Sequence, residues 1–117
     1  MKEDALMNIY TAFARFSKVF AEDEMARLQS CTSNDIGTYL RVDVHGLTKS
    51  EAKRFINNII NIVREAFGLL VVHGFHHGSS IKTMIRTEFK NPKIAGMYEA
   101  PSNPGVTYLL IMPAYMA

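Results

Sequence analysis

Two short stretches of the 117-residue chain gather side chains able to hold phosphate or move a proton. The first is Asp43-Val44-His45-Gly46. Residues two apart on a strand point to the same side, so Asp43 and His45 are expected to project together. A carboxylate beside an imidazole orients its tautomer, which suits general acid–base work. The bland alternative is a turn in which Asp43 caps a neighbouring backbone group and His45 begins a loop.

The second stretch, VVHGFHHGSSIK, spans residues 71–82. Gly74 and Gly78 allow tight turning after a buried strand, and Ser79 and Ser80 can cap the helix that follows. Free backbone N–H groups at a helix start make an anion site, which Lys82 and Arg86 would strengthen from one and two turns in. The glycine spacing is not that of a Walker loop, and a generic strand–loop–helix connection is the other reading. His45, His73, His76 and His77 raise the question of zinc, but adjacent His76 and His77 diverge, and no CxxC or HExxH is present. A divalent ion such as Mg²⁺ or Mn²⁺ is the remaining cofactor to consider, with its ligands unassigned. No G-x-S-x-G elbow exists, and nothing activates Cys31 as a nucleophile.

The elements that must position these residues follow from periodicity. Leu6, Ile9, Tyr10, Phe13, Phe16, Phe20, Met25 and Leu28 recur at three- and four-residue steps and predict a helix over 4–29. Residues 31–38, CTSNDIGT, read as a linker, and YLRVDV (39–44) as a short strand. Thr48 and Glu51 form a capping box, so a helix is expected from about Lys49, with Ala52, Phe55, Ile56, Ile59, Ile60, Val63 and Phe67 buried and Gly68 ending it. LLVVH (69–73) reads as a strand covered on both faces. A third helix, marked by Ile81, Met84, Ile85 and Phe89, runs to about Lys90, where Asn91-Pro92 stops it. KIAGMYEA and VTYLLIM are strands joined by the turn PSNPG. The order after residue 39 is β-α-β-α-β-β, an α/β arrangement with parallel pairing across helical crossovers and a final hairpin.

Composition sets the outer bounds. The chain is 48% hydrophobic and 21% charged, which is a globular composition and excludes a disordered one. No apolar run approaches the roughly 20 residues of a membrane span, and MKEDALMNIY has no apolar signal region. A single Cys31 is consistent with a reducing compartment, so a cytoplasmic location is expected. Residues 1–39 carry net −2 and residues 40–117 net +4, a bias toward a polyanionic partner.

LRVDVHGLTKSEA, LLVVHGFHHGSSIKTMIR and SNPGVTYLLI, in that order, resemble a Smr domain, the small MutS-related module, over residues 40–111. The family's L-D-x-H-G is matched by Val42-Asp43-Val44-His45-Gly46, its H-G-x-G by His73-Gly74-Phe75-His76, and its N-x-G by Asn103-Pro104-Gly105. His76 stands where that second motif has its last glycine, a departure that adds bulk and a potential proton carrier. The resemblance implies a two-layer α/β sandwich with a four-stranded mixed sheet, similar to the C-terminal domain of translation initiation factor three. It implies DNA or RNA as partner and, in some members, nicking or cleavage. It makes Asp43 and His45 the catalytic residues. His73, Gly74, Phe75, His76, His77, Gly78, Lys82, Arg86 and Asn103 become nucleic-acid contacts. The chain then divides into an N-terminal helix and linker, 1–38, and a Smr-like domain, 39–117. The Phe-rich helix is expected to pack in cis or to form a homodimer, or to be the surface of an interaction adaptor. An endonuclease, a non-catalytic nucleic-acid-binding module and that adaptor are the three functions to separate.

Overall fold

A computed structural model describes residues 7–74 and 79–113. Its centre is a β-α-β unit. Strand β2, Gly37–Asp43, leads into a turn, then helix α3, Lys49–Ile62, then strand β3, Phe67–Val72, which pairs parallel to β2. Helix α3 starts where the capping box places it: Thr48 Oγ1 accepts the Glu51 N–H at 3.1 Å, and Glu51 takes the Thr48 N–H at 2.9 Å. Ala52, Phe55, Ile56, Ile59 and Ile60 form its buried stripe, each large side chain contributing about 1.5–3 kcal/mol. The helix ends at Ile62 without a glycine. Val63 turns extended, and the Lys93 ammonium donates to the Ile60 and Val63 carbonyls at 2.8 and 2.7 Å, satisfying groups a glycine cap would otherwise serve. Gly68, expected as that cap, lies inside β3.

A second helical stretch comprises α4, Ser79–Thr83, and a π-helical extension, Met84–Glu88, which ends before Asn91-Pro92 as expected. Strands β4, Ile94–Ala100, and β5, Asn103–Ile111, form the final hairpin, with the turn confined to Pro101 and Ser102. The expected β-α-β-α-β-β order is present.

The N-terminal segment departs from expectation. In place of one helix over 4–29, α1 spans Ile9–Val19, a short helix α2 spans Glu22–Met25, and strand β1 spans Leu28–Ser33. Asn8 fixes the start by accepting the Tyr10 and Thr11 N–H groups. Phe20 ends the helix in extended conformation, with its ring 5.0 Å from that of Phe55. Tertiary packing thus overrides a helical period that continues through Met25 and Leu28. Residues 31–38, expected as a linker, form the end of β1, a turn in which Ser33 Oγ accepts two N–H groups, and the start of β2. The mixed sheet consequently has five strands, ordered β1-β2-β3-β5-β4, one more than the four expected.

One core holds the fold together. Leu40, Val42, Leu69, Val71, Leu109 and Ile111 point from the sheet to the same side as Ala12, Phe16, Ile56, Ile59, Met84 and Ile85 from the helices. The Phe-rich face of α1 therefore packs in cis. Phe16 and Phe20 are buried within the chain, while Ile9 and Phe13 are partly covered and Tyr10 is exposed. Leu70 and Val72, pointing the other way, stay half-buried. Among the described residues the helices lie on one side of the sheet only, so β3 is not covered on both faces as expected. No helix among the described residues is long and apolar enough to cross a membrane.

Candidate functional site

Asp43 is the last residue of β2, and the turn beyond it closes with a Leu47 N–H to Val44 carbonyl bond of 3.2 Å. Gly46 supplies the positive φ of +83° that this reversal needs, as Gly74 does at +72° after β3. Asp43 Oδ1 accepts twice from His45, from the backbone N–H at 3.1 Å and from Nδ1 at 2.5 Å. A carboxylate only accepts, so Nδ1 carries the proton and Nε2 is left for chemistry. The imidazole is 69% exposed and the carboxylate 27%. Partial burial pushes the Asp43 carboxyl up. The His45 hydrogen bonds, with the charges of His45 and Arg41, outweigh that and hold it below its ordinary value.

Arg27, between α2 and β1, braces this turn. One guanidinium nitrogen donates to the Asp43 and His45 carbonyls at 3.0 and 3.1 Å, while the Arg27 carbonyl accepts the Asp43 N–H at 2.9 Å. Nothing in the local sequence marks Arg27, because its partners lie 16 and 18 residues away.

The other two motifs arrive at the same place. The Val44 N–H donates to the Val72 carbonyl, and both the His73 and Gly74 N–H groups donate to the Gly105 carbonyl at 2.9 and 3.0 Å. A side chain at Gly74 would lie 3.9 Å from His45 Cβ, and one at Gly105 would lie 3.4 Å from Gly74 Cα. The three segments therefore meet at the carboxyl ends of the parallel pair β2 and β3, where open α/β sheets place their ligands.

The expected nucleic-acid contacts occupy different places. His73 is fully buried: its Nδ1 donates to the Gly74 carbonyl at 2.7 Å, which leaves Nε2 to accept from Thr107 Oγ1 at 2.9 Å. Burial lowers its pKa, opposed by the Gly74 hydrogen bond and reinforced by the charges of Arg86 and Lys82. Its imidazole anchors the loop from within. Arg86 is paired with Glu99 and reaches Thr107 at 3.5 Å, while Lys82 is half-buried. Asn103 Oδ1 accepts the Gly105 N–H at 3.0 Å, holding the hairpin that carries the Gly105 carbonyl. Phe75, His76, His77 and Gly78 lie outside the described residues.

Among the described residues no three or more His, Cys, Asp or Glu side chains gather into a cluster able to hold a metal. With Oδ1 taken by His45, Asp43 would bring one free carboxylate oxygen to a divalent cation. A groove of about 580 Å³ beside α1 is lined by Ile9, Tyr10, Phe13, Leu28, Gln29 and Ser30, and neither Asp43 nor His45 lines it.

No protein-family model matches the chain, and no curated protein matches it. Among solved structures, the Smr domain of Thermus thermophilus MutS2 is similar at 24% identity and a TM-score of 0.50, over 62% of this chain and 98% of that one. The chain has the Smr-domain fold.

Proposed function

We propose that this chain binds nucleic acid at the end of the sheet where the 43–46 turn, the 73–74 loop entry and the 103–105 hairpin meet, and that His45 acts there on a phosphodiester. The observation that carries the reading is the Asp43–His45 pair, 2.5 Å apart, set against the glycine loop. The Smr fold supports a polyanionic ligand, as does the net +4 of residues 40–117. In the cleavage step Asp43 holds the imidazole through Nδ1, and Nε2 takes or gives the proton at the attacking or leaving oxygen. Lys82 adds positive charge near the loop. Binding is the primary activity, and cleavage is the step that the pair adds to it.

The test incubates the protein with supercoiled plasmid and with RNA, with and without Mg²⁺ or Mn²⁺, beside His45→Ala. Product formed by the wild type and lost in His45→Ala supports cleavage; identical product patterns overturn it. Binding is followed separately by anisotropy across a salt series. Affinity should fall with rising salt and with Lys82→Ala. Salt-independent or absent binding would remove the nucleic-acid reading altogether.

A further inference from the structure

The sheet face turned away from the helices carries a row of tyrosines. Register places Tyr98 opposite Tyr108 on β4 and β5, while Tyr39 on β2 points to the same side across β3. Ring centroids are 6.5 Å apart for Tyr98–Tyr108 and 6.3 Å for Tyr39–Tyr108. The ring planes are inclined at 49° and 67° in these two pairs, and two glycines leave room for the hydroxyl ends of Tyr108 and Tyr98 over the sheet. A side chain at Gly68 would meet the Tyr108 hydroxyl at 1.8 Å, and one at Gly96 would meet that of Tyr98 at 2.6 Å. Tyr98 is 54% exposed, and among the described residues no helix covers the row.

Arg41 and Asp43 follow Tyr39 along β2 on this same face, because alternate strand residues share a side. Arg41 is the only lysine or arginine in the five strands. Asp43 stands four residues from Tyr39, about 13 Å at a rise of about 3.3 Å per residue. A polymer resting on the tyrosines and running along β2 would pass the Arg41 guanidinium and reach the Asp43–His45 pair.

From this continuity we infer that the open face is a base-stacking platform for single-stranded nucleic acid, which feeds the Asp43–His45 end of the sheet; the inference rests on the nucleic-acid reading above. Bases stack on aromatic faces without regard to sequence, and only unpaired bases have free faces to offer. A duplex would present phosphates to a face with a single cation, which gives it little to hold. The platform therefore selects single strands, while the loops at the strand ends handle the phosphodiester.

The test measures anisotropy of fluorescein-labelled oligo(U) and oligo(dT), each about ten nucleotides, and of a mixed-sequence duplex of the same length. The protein is the full chain as wild type, Tyr98→Ala, Tyr98→Phe and Tyr39→Leu. Wild type should prefer single strands. Tyr98→Ala and Tyr39→Leu should weaken single-strand binding about tenfold, the loss of one stacked base, with an unchanged salt slope. Tyr98→Phe should retain affinity, and its intact ring separates lost stacking from lost folding. The two single strands distinguish RNA from DNA as the source of the bases. Wild-type binding left unchanged by both tyrosine variants overturns the platform but not the proposed function, and points to a protein as the occupant of this face. Duplex binding as tight as single-strand binding overturns it as well. No binding to any probe overturns both.

Discussion

Lowering the pH should destabilise this protein through His73. The imidazole is fully buried, held between the Gly74 carbonyl and the Thr107 hydroxyl. Burial is the first cause of its lowered pKa, and the Arg86 and Lys82 charges add to it. In the unfolded chain the same group titrates at its ordinary 6.5. Below that pH the unfolded state binds a proton more readily than the folded state does, so stability falls as pH falls. The full contribution is present above about pH 6.5 and is lost through the window below it. Proton uptake by the unfolded state caps the loss by pH 5.5 at about 1.4 kcal/mol, which for a chain of this size lowers the melting temperature by at most about 5 °C. The assay is urea denaturation at pH 7.5, 6.5 and 5.5 for wild type and His73→Gln. The variant should be less stable at pH 7.5 by about 1–3 kcal/mol, through the disturbed hydrogen bonds, and should lose less on acidification. The other three histidines and the carboxylates are common to both proteins, so the difference between profiles isolates position 73. Parallel profiles would refute the reasoning.

Two further substitutions probe how the site is held. Arg27→Ala removes the donor shared by the Asp43 and His45 carbonyls and should cost about 1–3 kcal/mol by denaturation. It should weaken cleavage or binding more than that loss of folded protein explains; unaltered activity would show that the turn holds itself. Phe16→Ala, in the fully buried centre of α1, should cost about 3–5 kcal/mol. A cost under about 1 kcal/mol would mean that α1 is not part of the core.

Features with a local cause were legible in the sequence. The capping box sets the start of α3 from residues three apart, and Asp43 and His45 meet because they are two apart. Those features need no knowledge of what lies across the sheet. Strand β1 does need it, because Leu28–Ser33 pairs with β2 through a hairpin while the apolar period before it reads as helix. Gly68 was misleading for the same reason. A glycine after a helical stripe looks like a cap, and only the register of β3 against β5 shows the tyrosine ring that requires it. His73 carries the ambiguity of a histidine beside a glycine loop. Direction along the strand turns it inward, with Leu69 and Val71, where its ring bonds to Gly74 and Thr107. The tyrosine row joins residues 39, 98 and 108 across four strands, which no spacing in the chain discloses.

The site's geometry is therefore a property of sheet register more than of loop side chains. Main-chain bonds run from Arg27 to Asp43, from Val44 to Val72, and from His73 and Gly74 to Gly105, so each motif is tied to its neighbour through backbone. A one-residue slip of β2 against β3 would turn Asp43 toward the helices and expose Leu40 and Val42 on the open face. The buried side chains of β2 thus enforce the position of Asp43 as strictly as they enforce the fold.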